Sequence, residues 1–399
     1  MRHSSNAYQR VFTRAQLTTS FRELFGSARP TARNTVGIDD ICLNDFAADP
    51  KGQIHAIASE LNAGLFKFSA LRAHLIPKMS GKDRLICVPT VRDRVVQRTL
   101  LRYLSNRYHN KLANKISYGF VQGRTVQQAA NAACQLRASH RWVLKTDICS
   151  FFDQIDRNIL AASIKRLVRE RSLHNILVDA ISSEIGPVSR SKQKRISALG
   201  IKDGHGVRQG MPLSPFFSNV ILQSFDKKIE ESGLRAIRYA DDLVFFADSR
   251  ESCKVALEKC TDILSELHLT VPGLEEETKT VIYEPDQPAE FLGLGIRESS
   301  AGYELALLPR QREAIRRRIL DLGSLKELLA RKITLANLGT AIANRISGYV
   351  AAYDCCSNID DLERELNSLG TKVRRRIYRD ELQIPLAALG ADARAFLDI

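Results

Sequence analysis

The sequence predicts an α+β protein, with short antiparallel strands and helices through residue 308 and an all-helical segment after it. Three observations carry this. Two apolar runs, 71–78 and 84–88, flank a Ser80-Gly81 turn signal and read as a strand–turn–strand ribbon. Two more β-prone runs flank Ala240-Asp241-Asp242 and read as a hairpin over 234–247. From Arg310 to Leu382, apolar residues recur at helical spacing.

The elements follow in order. Residues 1–36 are polar and basic, with a helix around 13–25, and Pro30 and Gly37 punctuate the region. Residues 53–64 place Ile54, Ile57, Ala58 and Leu61 on one helical face. After the ribbon, residues 93–109 carry Val95, Val96, Leu100, Leu101 and Leu104 at helical spacing. A short strand at 142–144 opens onto Asp147. Helices are expected at 157–170 and 212–231, and at 250–267 with Asp248 or Ser249 as its cap. Two short strands are expected at 291–296 and 303–307. Tail helices are expected at 310–322, 325–330, 335–352 and 359–377.

Charge narrows the partners. Formal net charge is +14, and its placement is uneven. Residues 1–146 hold 23 Lys/Arg against 8 Asp/Glu, residues 147–309 hold 20 against 25, and residues 310–381 hold 15 against 10. A basic front and back suit a polyanion, nucleic acid before anionic membrane. The acidic middle would gather cations. The eight cysteines show no zinc-type spacing, and Cys355-Cys356 read as small apolar residues. There is no apolar signal-peptide core, and no run reaches the roughly 18–20 residues of a membrane helix. A reduced, cytoplasmic protein with free thiols is expected.

The chemistry centres on Arg238-Tyr239-Ala240-Asp241-Asp242-Leu243-Val244-Phe245-Phe246. A tight hairpin puts both acids at its tip, where a cation would offset their repulsion. An Asp-Asp turn alone is weak, because Asp is a common turn residue. The second element is Asp147, at the end of an apolar strand, with Phe152 five residues later. Three such carboxylates supply the hard oxygen ligands that Mg²⁺ prefers. Asp153 and Asp156 compete for the metal. On the plainer reading Asp153 bonds local backbone and Asp156 caps the next helix.

At this point the chain resembles the bacterial reverse transcriptases of group II introns, retrons and phage-defence systems. The likeness runs in order from about Asn34 to Tyr353. It passes through Thr35-Val36-Gly37-Ile38-Asp39, then Leu75-Ile76-Pro77-Lys78 with Gly81-Lys82-Asp83-Arg84, then Pro89 to Gln97. Ser117-Tyr118-Gly119-Phe120 with Gly123-Arg124 follows, then Asp147 to Asp153, then Gly206 to Pro215. Tyr239-Ala240-Asp241-Asp242, Lys279-Thr280 and Phe291-Leu292-Gly293 complete the series.

The resemblance implies a right-hand polymerase. Residues 1–36 would be a basic extension, 37–141 fingers with part of the palm, 142–308 palm, and 309–399 a helical thumb. It implies Asp147, Ile148, Asp241 and Asp242 around two Mg²⁺ ions, with Mn²⁺ as an alternative. Asp147, Asp241 and Asp242 are the catalytic acids, and Asp242 has the supporting role. Lys78 and Arg84 would grip the triphosphate of a deoxynucleotide, and Phe152 would exclude a 2′-hydroxyl. Gln209 and Gly210 would contact nucleotide and template, and Lys279 would lie near the pyrophosphate. The Phe291-Leu292-Gly293 turn would grip the primer. Two departures stand out. Arg208 replaces the proline common before Gln-Gly, which leaves the loop's conformation open and offers a phosphate or template contact. Glu275-Glu276-Glu277 is acidic for a site beside a triphosphate.

The implied activity is DNA synthesis on an RNA template. No nuclease or ribonuclease H pattern follows the thumb, and no Val-Thr-Gly retron signature is present. The expected setting is therefore antiphage defence with a non-coding RNA. The alternative is an intron-type maturase with secondary polymerase activity. A homo-oligomer or a co-encoded protein partner stays open, and no membrane partner is expected.

Overall fold

The computed structural model describes residues 6–77, 83–275 and 278–397. Nine strands occur among the described residues: β1 Arg72–Pro77, β2 Asp83–Val88, β3 Trp142–Asp147, β4 Arg235–Tyr239, β5 Asp242–Ala247, β6 Val281–Tyr283, β7 Ala289–Phe291, β8 Leu294–Ser299 and β9 Gly302–Ala306. They form three sheets: β1-β2, β4-β5-β3-β6 and β7-β8-β9. With many helices around them, the class is α+β as expected.

The chain divides into two compact units. The first comprises Met1–Thr125, Thr146–Phe245 and Glu251–Val281. The second comprises Val126–Lys145, Phe246–Arg250 and Ile282–Ile399.

In the first unit, helix Arg14–Ser27 starts where Thr13 accepts from the Gln16 amide at 3.3 Å. Its buried Leu17, Ser20 and Phe21 face helix Val91–Leu112, and Thr99 Oγ1 donates to Ser20 Oγ at 2.9 Å. That second helix is longer than expected because Thr90 caps it, accepting from the Asp93 amide at 3.1 Å. The ribbon pairs antiparallel, with Arg72 opposite Val88 and Ile76 opposite Arg84. Helices Leu43–Ala48, His174–Ile181 and Arg190–Ser197 had no sequence expectation. Two are short apolar turns. The third is polar nearly all round and buries only Ile196, so it shows no amphipathic stripe.

In the second unit, β7-β8-β9 is an antiparallel meander. The strand expected over 291–296 is instead the end of β7, a two-residue turn and the start of β8. Leu292 and Gly293 have φ of 52° and 78°, the pattern of a type I′ hairpin turn. An apolar run hides such a turn because Leu292 takes a conformation that usually falls to glycine or asparagine. Helix Val126–Ser139 was also illegible, because its buried face is Ala129, Ala130 and Ala133. Its Arg137 is fully buried and donates to the Ile296, Glu284, Pro285 and Gln287 carbonyls. Helices Pro309–Leu320, Leu325–Ala330, Leu335–Ala352 and Ile359–Arg376 fall within a few residues of expectation. Leu362, Leu366, Leu369 and Val373 form the buried stripe of the last. Gly370 sits among them because a Cβ there would lie 2.9 Å from Ile342 Cγ2.

Candidate active site

The described metal- and nucleotide-site residues lie in the first unit, and the Phe291-Leu292-Gly293 turn expected to grip the primer lies in the second. β3 is apolar, with Val143 and Leu144 buried, and it delivers Asp147 at its end, 9% exposed. β4 and β5 are joined through Ala240 and Asp241 only, which makes the expected tight hairpin. Ala240 has φ 58°, the left-handed value this turn requires at its first central position. The two pieces are pinned together, since the Ile148 amide donates to the Asp241 carbonyl at 3.1 Å.

Electrostatics shows what converges here. Burial, and then the negative charge of Asp147, push the Asp241 carboxyl up; Lys279 and Arg84 pull it back. Burial acts to lower the Lys279 ammonium. Its bond to Asp147 and the charges of Asp147, Asp241 and Asp242 outweigh that and raise it. One lysine therefore senses all three aspartates, and its Nζ donates to Asp147 Oδ2. The expected site near Lys279 is a direct ion pair with the strand-end acid. Arg84 is exposed and on β2. Lys78, like Glu276 and Glu277, lies outside the described residues.

The nucleotide-side residues are tied to one another through backbone. Ser150, at φ 41°, turns the chain into a short helix at Phe151–Gln154. Phe151 is buried, and Phe152 is partly exposed with its ring centroid 5.2 Å from that of Phe151. The Val207 amide donates to the Phe152 carbonyl at 2.7 Å, and the Cys87 amide donates to the Gln209 carbonyl at 2.7 Å. Phe152, Gln209 and β2 are thus one connected assembly. Gly210 allows this approach: at φ 108°, a Cβ there would lie 2.5 Å from the Cys87 carbonyl oxygen. Asp156 is the expected helix cap, its Oδ1 accepting from the Asn158 and Ile159 amides at 2.8 and 3.2 Å.

Arg208 corrects the sequence reading. It offers no phosphate or template contact, because it is 1% exposed and its Nη2 is committed to Glu184 Oε2 and the Lys202 carbonyl, at 2.7 and 2.8 Å.

Sequence reading missed the network behind the hairpin. Arg238 is fully buried and donates to Asp226 Oδ1 and Oδ2 at 2.6 and 2.5 Å. It also reaches Ser117 Oγ at 2.7 Å, Asn219 Oδ1 at 3.3 Å and the Ala240 carbonyl at 3.1 Å. Gly119 abuts the same turn, since a Cβ would lie 2.3 Å from the Ala240 nitrogen. A signal existed: Asn219 and Asp226 are polar residues two helical turns apart on one face of an otherwise apolar helix.

The donor set suits a divalent cation. The negative charge of Asp147 adds to the cost of ionising Asp241, and a divalent cation would relieve that. Ile148 is buried, so only its carbonyl oxygen is available as a ligand. Among the described residues, no three His, Cys, Asp or Glu side chains converge into a ready cage, and Lys279 holds Asp147.

Comparison with known proteins gives the family. Residues 76–296 match the family "Reverse transcriptase (RNA-dependent DNA polymerase)". The chain belongs to that family. It is 28% identical to Protein YkfC of Escherichia coli over 203 residues, 50% of this chain and 51% of that protein. It is 27% identical to the Retron Ec83 reverse transcriptase of Escherichia coli over 192 residues, 47% of this chain and 56% of that one. It is 22% identical to the group II intron-encoded protein LtrA of Lactococcus lactis over 338 residues, 67% of this chain and 53% of that one. The chain thus spans about half the length of each of these relatives. No helix among the described residues is long and apolar enough to cross a membrane.

Proposed function

We propose that this protein is an RNA-directed DNA polymerase, extending a primer with deoxynucleotides on an RNA template. The carrying observation is that Lys279 bonds Asp147 and feels the charges of Asp147, Asp241 and Asp242, with Arg84 in electrostatic reach of Asp241, in a chain of the reverse transcriptase family. The division into fingers (37–141), palm (142–308) and thumb (309–399) after a basic extension (1–36) belongs to the same reading.

Asp147 and Asp241 with the Ile148 carbonyl would hold Mg²⁺, or Mn²⁺, and Asp242 supports them. Bound there, two such ions supply the charge that makes a 3′-hydroxyl nucleophilic and a pyrophosphate a leaving group. Lys279 compensates Asp147 and is the cation this chain would supply to the leaving phosphates. Arg84 and Lys78 grip the triphosphate through charge-assisted bonds. Phe152 stands with its ring against buried Phe151 and its backbone held by the Val207 amide, and would meet a 2′-hydroxyl there. Gln209 and Gly210 form the floor on which the base pair lies.

The proposed setting is antiphage defence with a non-coding RNA as template. The intron-type alternative has in its favour the 338-residue likeness to LtrA, longer than that to the retron enzyme. Sequencing the nucleic acid that copurifies with the protein decides between them. A small RNA joined to or paired with cDNA supports the defence reading. Spliced or unspliced intron RNA without cDNA supports the other.

A further inference from the structure

We propose that Glu184 is a positioning residue for the nucleotide pocket, half-buried and acting with buried Arg208 as a clasp between the β1-β2 ribbon and the Gln209-Gly210 loop. This rests on the polymerase reading above and deepens it.

Glu184 lies outside every motif the sequence presented, yet three parts of the pocket meet on it. Its carbonyl accepts from the Leu71 amide at 2.8 Å, and the Gly186 amide returns a bond to the Leu71 carbonyl at 2.9 Å. Leu71 pairs with Ile185 at the root of β1. Its carboxylate accepts from Arg208 at 2.7 Å, from Arg157 at 2.6 Å and from the Gly204 amide at 2.8 Å. Arg157 in turn donates to the Gly206 carbonyl at 2.8 Å. One side chain thus fixes both ends of the segment 204–208 that delivers Gln209.

The same stretch of chain braces the ribbon further out. Lys192 donates to the Ala73 carbonyl, and Arg195 binds Asp83, the neighbour of Arg84, through two bonds of 2.9 Å. Burial pushes the Glu184 carboxyl up, but the bonds from Arg208 and Arg157 outweigh it and hold the group below its ordinary range.

Arg208 needs this partner. Its Nε and Nη1 are buried with no hydrogen-bond partner, so Glu184 and the Lys202 carbonyl are what accept from it. A proline at this position would set the loop through a fixed φ. This chain sets it by a charge pair whose other end is the ribbon. The consequence is that ribbon and loop, which approach the nucleotide from two sides, move as one.

The test is steady-state primer extension on an RNA template with Glu184→Gln, Arg208→Pro and the double variant. Template–primer affinity and the active fraction are titrated for each. Glu184→Gln is expected to raise KM for deoxynucleotide on the order of tenfold or more. It should change kcat and template–primer affinity far less. Arg208→Pro added to Glu184→Gln should bring KM back to within about threefold of wild type, because no unpaired guanidinium remains. A KM for Glu184→Gln within twofold of wild type overturns the proposal. So does a double variant no better than the single. If Glu184→Gln does not fold, the double variant must fold with a near-wild-type KM, and its failure to do so also overturns it. Failure of the wild type to extend any primer sinks the polymerase reading instead.

Discussion

Arg238 offers the sharpest structural prediction. It is fully buried beside the Ala240-Asp241 turn, and its guanidinium satisfies both oxygens of Asp226 along with Ser117, Asn219 and the Ala240 carbonyl. In Arg238→Met, Asp226 keeps only the Asn114 amide at 2.8 Å. Removing one member of a buried pair typically costs about 3–5 kcal/mol, because the other charge stays desolvated. Removing both is close to neutral when the replacements pack well. Urea unfolding followed by circular dichroism should therefore show Arg238→Met destabilised by about 3–5 kcal/mol. Arg238→Met with Asp226→Leu should recover most of that. Primer extension should stay impaired in both, because the Ala240 carbonyl has lost the donor that fixes the turn. A loss under about 1 kcal/mol in the single variant, or a double variant as unstable as the single, would refute the reasoning.

Two further predictions concern the carboxylates and the sugar gate. The Asp241 carboxyl is raised, so its contribution to stability is present at low pH and is lost as pH rises through its folded value. Without divalent ions, Asp241→Asn should abolish that acid-range slope and raise Tm at neutral pH, and Mg²⁺ should raise the wild-type Tm more than the variant's; differential scanning calorimetry reads both, and a lower Tm for the metal-free variant would contradict the idea. Phe152→Ala should raise ribonucleotide incorporation relative to deoxynucleotide by at least tenfold, about 1.4 kcal/mol of discrimination, as read by alkaline cleavage of the product. An unchanged ratio would remove Phe152 from that role.

Much of the site was legible because it is local. Asp147 closes an apolar strand, and Asp241-Asp242 interrupts a β-prone stretch, so chain pattern alone placed both. What stayed hidden was whatever depends on distant partners. Arg238 sits in a strand and reads as an ordinary polar interruption, and only packing brings Ser117, Asn219 and Asp226 around it. Arg208 read as offering a phosphate or template contact because nothing in the sequence marks its partner. Its true partner, Glu184, lies 24 residues upstream on a different element. Helix Val126–Ser139 escaped because alanines pack without leaving a hydrophobic stripe, and the 292–293 turn escaped because leucine occupies a left-handed position.

The proposed DNA synthesis takes place at the aspartates whose charges reach Lys279. The direct measurement is extension of a labelled DNA primer on an RNA template with Mg²⁺ and deoxynucleotides, comparing wild type with Asp241→Ala/Asp242→Ala at equal RNA occupancy. Full extension by wild type and none by the double variant, with RNA binding preserved, is the predicted result. Extension that persists in the double variant would contradict it.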